Sequence, residues 1–317
     1  WNASKFVISA IGDTGQDKTE SRSAEKDIQA KSIQDMDLNL WDRWIISRLN
    51  STIEDVEKNL SKFNFSGASR SLYNFFWSEF CDWYLESSKV RLYDSSNEKD
   101  RGVCQFVLWF VLEKYLKTMH PFMPHITERI WQAIPHQGES IMIGKYPQSD
   151  KAFTSKETEN AISPVFDIIS EVRKIRSELK INPGSKVNIC LDIKEDDISK
   201  TVSASTKYIC SLARVDKIKF GDAGDGKGYI KTTTGSTDIY IYILDAVDID
   251  IEIKRISDEM AKIEAGMAGS KKKLENPQFI KKAPQEIITK EKDKLMQAVQ
   301  VNTVLAEQLE KMKNIKK

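Results

Sequence analysis

The chain has 317 residues, enough for two or three domains of ordinary size. Lysine and arginine number 48 against 47 aspartate and glutamate residues, which excludes a uniformly basic nucleic-acid-binding protein. Any contact with a polyanion must therefore come from local patches. The sequence has no apolar run of the about 18–20 residues that a membrane span requires, and no signal-peptide pattern at its start. We therefore expect a soluble, cytoplasmic protein without a membrane partner.

The composition also argues against metal and covalent chemistry. The four cysteines form no CxxC pair, and the chain holds only three histidines. The motifs G-x-S-x-G, GxxxxGK[ST] and HExxH do not occur. We therefore predict no metal site, no cofactor bound by this chain and no catalytic residue. Trp1 stands inside an apolar pattern without a preceding methionine or cap, so we expect a piece of a longer protein.

In chain order, the first regions are a linker and a group of helices. Residues 1–37 are predicted to be the end of a connecting helix and a flexible linker, because residues 12–37 are polar and nearly free of large hydrophobic side chains. From residue 38 onward, four segments carry apolar residues at helical spacing: 41–60, 66–92, 101–119 and 125–134. Residues 38–155 are therefore predicted to form an antiparallel helical bundle.

After the bundle the hydrophobic period changes. Residues 159–180 have a helical pattern, and strict alternation from Val187 to Ile193 predicts a half-buried strand. A short helix and three further strands are predicted at 203–214, 215–220, 228–233 and 238–244. Residues 156–248 are therefore predicted to form a small α+β module that connects its neighbours.

The last region has the pattern of a coiled coil. From residue 249 apolar residues step by four and three, as in a heptad seam, and only Ser270 interrupts them. Pro277 ends this helix because the residue before a proline disfavours helical geometry, and the apolar pattern resumes after the sequence QFIKKAP. Two long segments joined by a short turn predict an antiparallel coiled-coil hairpin over residues 249–317. The fold class is therefore predicted to be mainly α.

The hairpin concentrates positive charge near its turn. Residues 249–317 hold 15 lysines and arginines against 11 aspartates and glutamates. Five lysines flank the turn: Lys271, Lys272, Lys273, Lys281 and Lys282. Such a cluster suits the phosphates of RNA, and the alternative is that it only keeps an exposed arm soluble. In the bundle, arginines lie among many aromatic residues, a combination that suits single-stranded RNA although most of these rings must fill the core.

Seven stretches of the sequence occur in the order typical of one family. They are WNASKFV at 1–7, LWDRWIISRLN at 40–50, FFWSEFCDWYLESSKVRL at 75–92, MHPFMPHITERIWQ at 119–132, RSELKINPGSKV at 176–187, SLARVDKIKF at 211–220 and LENPQFIKKAPQEIITKEK at 274–292. In these stretches the chain resembles the C-terminal portion of valyl-tRNA synthetases, a family of class I aminoacyl-tRNA synthetases. The blocks FCDWYLE and HPFMP also occur, in looser form, in isoleucyl and leucyl relatives, whereas NPQFIKKAP indicates the valyl branch.

The resemblance implies a division of labour in a valine–tRNA ligase, which charges tRNA(Val) with valine using ATP. The bundle would bind the anticodon stem and loop, and the coiled-coil arm would brace the outer corner of the tRNA. The ATP-binding sequences HIGH and KMSKS do not occur in this chain, so ATP with Mg²⁺ would bind in a catalytic domain that lies elsewhere, and this chain alone would be inactive. By charge and placement, the residues expected to contact the anticodon side are Arg43, Arg48, Asn50, Arg70 and Arg91. On the arm they are the five lysines near the turn.

Two other hypotheses remain open at this stage. In the first, the heptad arm pairs with another coiled coil and the bundle is a non-catalytic scaffold. In the second, the chain is the equivalent region of an isoleucyl- or leucyl-type synthetase. The preferred interpretation predicts a monomer that binds tRNA(Val) and does not bind DNA.

Overall fold

The computed structural model describes residues 1–12, 33, 36–223, 228–244 and 249–316, and these form two compact units. The first unit comprises residues 1–166 and 200–212, and the second comprises residues 167–199 and 213–317. Most of the predicted linker at 12–37 lies outside the described residues, as do the side chains of several residues of the hairpin, Lys282 among them.

The first unit is built of helices, as predicted. They are α1 (Asn2–Gly12), α2 (Leu40–Ser61), α3 (Phe65–Asn74), a π-helical segment (Phe75–Leu85), α4 (Glu86–Leu92), α5 (Glu98–Met119) and α6 (Pro124–Trp131), with 3₁₀ turns at Ile141–Ile143 and Lys151–Phe153. The predicted helix at 66–92 is continuous, but its middle third has the wider π turn. Helix α5 is buried almost all round, as its apolar pattern indicated.

A helix cap and a buried ion pair share one carboxylate in the first unit. The backbone N–H of Asp42 donates to the Asn39 side chain at 3.0 Å, and that of Asn39 donates to Asp42 Oδ2 at 3.2 Å, which closes a capping box at the start of α2. The other oxygen, Oδ1, accepts from Tyr84 Oη at 2.6 Å and from Arg91 Nη1 at 2.7 Å. Arg91 also donates from Nε and Nη2 to Asp100 Oδ1, at 2.9 and 2.6 Å.

The central ion pair of this network is buried, so the loss of either partner would leave an unpaired charge in the core. The side chains of Asp42 and Arg91 are 0% and 4% exposed. Burial raises the pKa of Tyr84 well above its ordinary value, and the charge of Asp42 raises it further, so this hydroxyl stays protonated and donates. For Arg91 burial alone would lower the pKa, but the charge of Asp42, the other nearby acidic groups and the hydrogen bond with Asp100 together outweigh it, and the pKa is raised. The network therefore joins α2, the π segment and α4 through the buried Asp42–Arg91 pair, and it reaches α5 through the more exposed Asp100.

Aromatic packing completes the core of the first unit. Phe166 lies against three tryptophan rings, Trp41, Trp44 and Trp83, with ring centroids 5.4, 4.8 and 4.4 Å away. Tyr208 packs on Trp41 at 4.9 Å and accepts a hydrogen bond from the Asn39 side chain. These contacts explain why residues 200–212 belong to the first unit although the chain has by then passed through a strand.

The second unit contains a four-stranded mixed sheet. Its strands are β1 (Val187–Ile193), β2 (Val215–Phe220), β3 (Tyr229–Thr234) and β4 (Thr237–Tyr242), in the spatial order β2-β1-β4-β3. β1 pairs parallel with β2 and antiparallel with β4, and β3 pairs antiparallel with β4. The strands occur where the alternation predicted them. Two short helices, α8 (Asp196–Ala204) and α9 (Thr206–Ala213), replace the single predicted helix at 203–214, and most of their residues belong to the first unit.

The second unit also contains the hairpin. Helix α10 (Ile249–Leu274) and helix α12 (Gln285–Lys316) pack against each other, and the short helix α11 (Pro277–Lys282) forms the turn. Ser270, the polar interruption of the heptad pattern, is buried in the seam and donates to Glu291 Oε2 at 3.0 Å, while Lys273 lies 2.6 Å from the other oxygen of Glu291. One buried polar layer of this kind favours a single register, because a slip would leave the hydroxyl without its acceptor.

The two units do not coincide with the predicted boundaries at 155 and 248. The division falls within the helix α7 (Lys156–Glu178), and the sheet and the hairpin belong to one unit. The sequence pattern marks where the hydrophobic period changes, whereas the units follow from which faces pack together. The four-part division made from the sequence stays a prediction.

Replacing Arg91 by alanine should destabilise the first unit. The change leaves Asp42 buried without its charge partner, so we expect the free energy of unfolding to fall by about 3–5 kcal/mol. Urea denaturation followed by circular dichroism measures it. Arg70→Ala is the matched control, because Arg70 is exposed and its removal should change the same quantity by no more than about 0.5 kcal/mol. Similar losses in the two variants would contradict the assignment of the ion pair to the core.

Two neighbouring isoleucines of α12 test the packing of the hairpin. Ile288 is 6% exposed and Ile287 is 46% exposed. We expect Ile288→Ala to lower the free energy of unfolding by about 2–4 kcal/mol through lost burial and a residual cavity. Ile287→Ala should lower it by less than about 1 kcal/mol. A larger effect at Ile287 in thermal and urea melts would show that the seam runs along another face of the helix.

Candidate nucleic-acid interface

Two of the arginines predicted to contact the anticodon side, Arg43 and Arg70, are exposed and form no ion pair among the described residues. Arg43 lies in the first turn of α2 and borders an open cavity of about 380 Å³. Phe153, Ser155 and Thr158 line other parts of this cavity. Ile33, Met36, Leu38, Ile46 and Ala152 line the rest, so the described wall is mainly apolar, and the Arg43 cation at its border is suited to a phosphate.

Arg48 is half-buried and already neutralised. Its Nε and Nη2 donate to Glu79 at 2.9 and 2.8 Å, and its Nη1 donates to Glu159 at 3.2 Å. The hydrogen bond with Glu79 is the main reason that the pKa of Arg48 is raised. Burial alone would raise the pKa of Glu159, but the hydrogen bonds from Ser47 and Lys156 and the charge of Arg48 lower it. Two carboxylates hold this guanidinium, so it is a poor ligand for a phosphate.

Asn50 and Arg91 lie in the core, which corrects their assignment as contacts with RNA. Asn50 is 3% exposed, donates to the carbonyl of Ile46 at 2.9 Å and accepts from the backbone N–H of Asp150 at 2.9 Å. Arg91 is 5% exposed and is held by Asp42 and Asp100. Both side chains position helices and loops, because burial and pairing leave them no free donor at the surface.

Arg70 is exposed on a face that also presents two aromatic rings. Tyr73 and Trp77 follow it at helical spacing and are 62% and 53% exposed, and their ring centroids lie 6.3 Å apart at an angle of 52°. Phe63 and Phe65, just before α3, are 81% and 58% exposed. We call these five residues the aromatic stripe. The sequence predicted that most aromatic rings of the bundle fill the core, but its spacing did not tell which of them reach the surface.

The backbone turn between α2 and α3 explains why Phe63 and Phe65 are exposed. Phe63 has a φ of 55°, in the left-handed region, where the chain leaves α2. The Asn64 side chain then caps α3 by accepting from the N–H of Gly67 at 3.1 Å, and it donates to Asn59 at 2.7 Å. A Cβ at position 67 would lie 2.3 Å from Asn59 Oδ1 and 2.4 Å from Asn64 Nδ2, so a larger residue there would have to displace these two side chains. The turn is thus held by polar contacts and leaves the phenylalanines outside.

The arm lysines differ in their surroundings. Lys271, Lys272 and Lys281 are exposed. Lys273 is 56% exposed but forms an ion pair with Glu291 across the hairpin. The side chain of Lys282 lies outside the described residues. Three exposed cations near one turn suffice for several phosphate contacts, while Lys273 also serves the register of the hairpin.

Within the described ranges no group of three histidine, cysteine, aspartate or glutamate side chains is arranged to hold a metal ion. Among the described helices, none combines the length and the apolar character that a membrane crossing needs.

Two protein families match this chain. The model described as the anticodon-binding domain of tRNA ligase matches residues 42–191, which include most of the first unit and β1. The model described as the valyl tRNA synthetase tRNA binding arm matches residues 248–313, which are the hairpin. The two matches follow each other in the order that the sequence resemblance predicted.

Curated relatives extend the match to nearly the whole chain. Valine–tRNA ligase of Syntrophotalea carbinolica is 34% identical over 315 residues, 98% of this chain and 34% of the relative. Valine–tRNA ligase of Carboxydothermus hydrogenoformans is 31% identical over 309 residues, 98% of this chain and 33% of the relative. That of Aquifex aeolicus is 31% identical over 328 residues, 100% of this chain and 26% of the relative.

The chain thus spans about a third of the length of the curated relatives it matches. The bundle, the sheet and the hairpin are all included in the similarity, and the resemblance drawn from the sequence is confirmed. The chain belongs to the valyl-tRNA synthetase family, of which it represents the anticodon-binding domain and the tRNA-binding arm.

Proposed function

We propose that this chain is the part of a valine–tRNA ligase that binds tRNA(Val). The helices of the first unit bind the anticodon stem and loop, and the hairpin binds the outer corner of the tRNA. The observation that carries the proposal is the hairpin: it matches a tRNA-binding arm and presents the exposed cations Lys271, Lys272 and Lys281 near its turn. A chain of net charge +1 needs such a local patch to bind a polyanion.

The physical role of this binding is to orient a substrate whose reacting end lies elsewhere. Contacts far from the reacting atoms hold the tRNA in one position, and differential binding of this kind discriminates among substrates. The amino-acid activation that uses ATP and Mg²⁺ belongs to other parts of the longer protein. The chain acts as a monomer in the cytoplasm and binds tRNA rather than DNA, and we expect it alone to catalyse no valine-dependent ATP–pyrophosphate exchange.

Charge reversal near the turn tests the arm. The double variant Lys271→Glu, Lys272→Glu should bind a tRNA(Val) transcript about 100-fold more weakly than wild type in 100 mM salt. Its plot of log affinity against log salt should lose about 0.7–0.9 in slope for each phosphate contact removed. Filter binding over a range of salt concentrations measures both quantities.

The matched control reverses two exposed lysines of the same helix far from the turn, Lys254→Glu and Lys262→Glu. It changes the net charge by the same amount, so we expect a loss of less than about threefold. Equal losses in the two double variants would show that affinity follows overall charge. Unchanged binding in both would remove the arm from the interface.

A comparison of tRNAs tests the valyl assignment. We expect tRNA(Val) to bind at least about tenfold more tightly than tRNA(Ile) at the same salt concentration, because the first unit reads the anticodon region. Equal affinities would show that the chain binds tRNA in general and does not select tRNA(Val). A stable dimer in sedimentation together with no tRNA binding at low salt would instead support the coiled-coil scaffold.

A further inference from the structure

Exposed aromatic side chains are concentrated in one short part of the first unit. Tryptophan and other large aromatic residues are usually well buried, and single exposed ones need no explanation. The scattered exposed rings of this ordinary kind are Trp1, Tyr93, Tyr146 and Phe220. The four rings of the aromatic stripe, in contrast, lie within residues 63–77 and are each more than half exposed.

The charge of this segment fits a polyanion. Residues 62–78 contain two cations, Lys62 and Arg70, and no aspartate or glutamate, in a chain that has 47 acidic residues. Arg70 lies on the same helical face as Tyr73, one turn before it. A surface that bound a basic protein segment would be expected to hold carboxylates. Exposed rings with cations and without carboxylates are the combination that binds single-stranded nucleic acid.

We propose that unpaired nucleotides of the bound tRNA stack on the Tyr73–Trp77 pair, with the guanidinium of Arg70 on a neighbouring phosphate. This inference rests on the proposed function and names a part of its binding site. The two rings are 6.3 Å apart and inclined by 52°, so they are not stacked face to face on each other, and each is more than half exposed. Stacking uses the flat face that every base has, so this site binds without reading sequence.

Stacking and phosphate contact leave different signatures in binding data. A ring contributes affinity that does not depend on released counterions, so its loss lowers affinity and leaves the salt dependence unchanged. A cation on a phosphate contributes to the salt dependence, so its loss reduces the slope. The two kinds of variant therefore separate the two halves of the proposal.

The experiment uses the full 317-residue chain and two probes, an anticodon stem–loop RNA of tRNA(Val) and a fully paired duplex of the same stem. Trp77→Ala and Tyr73→Ala should each weaken stem–loop binding by about 5- to 100-fold with an unchanged salt slope. Binding of the duplex should change by less than about twofold, and Trp77→Phe should retain most of the affinity. Arg70→Gln should lower the slope by about 0.7–0.9.

Tyr93→Ala is the matched control, because Tyr93 is 75% exposed and lies outside the stripe. It should bind both probes like wild type, and thermal melts should show all variants folded. If the two alanine variants also bind the stem–loop like wild type, the stripe is not an RNA site and this inference fails, while the proposed function stands. If the wild-type chain itself binds neither tRNA(Val) nor the stem–loop, the proposed function and this inference both fail.

Discussion

The carboxylate of Asp42 is the constraint on which the first unit depends. One of its oxygens closes the cap of α2, and the other accepts from Tyr84 and from the guanidinium of Arg91. A buried charge of this kind is tolerated only when its partners are complete, so the start of α2, the π segment and α4 must meet at one point. The helices acquire their relative positions from this requirement as well as from apolar packing, which has little directional preference.

Ion pairing within the protein also decides which cations remain available to bind a polyanion. Arg91 and Arg48 form ion pairs with carboxylates inside or at the edge of the bundle. The Asn50 side chain accepts a hydrogen bond from the backbone N–H of Asp150. Arg43 and Arg70 remain at the surface. The lysines near the turn of the hairpin divide in the same way. Lys273 forms an ion pair with Glu291, whereas Lys271 and Lys272 are exposed to solvent. An RNA-binding surface is thus what remains after the core has paired its own charges.

Prediction from the sequence succeeded where the signal was local. The helical period of 41–60, the alternation from Val187 to Ile193 and the proline that ends α10 all predicted elements that the structure contains. The resemblance predicted the family, and both family models match. The π-helical turn of Phe75–Leu85 was not predicted, because a few wide turns hardly alter the spacing of apolar residues.

The sequence by itself determined the order of helices, strands and hairpin, since caps, breaks and hydrophobic periods act between residues close in the chain. Only the tertiary structure decided which polar and aromatic residues reach solvent. Arg91 meets Asp42 across 49 positions, and Arg48 meets Glu159 across 111, distances at which composition and spacing carry no pairing information. The exposure of Tyr73 and Trp77 was decided in the same way, because a ring of the bundle faces solvent only where no other element packs against it.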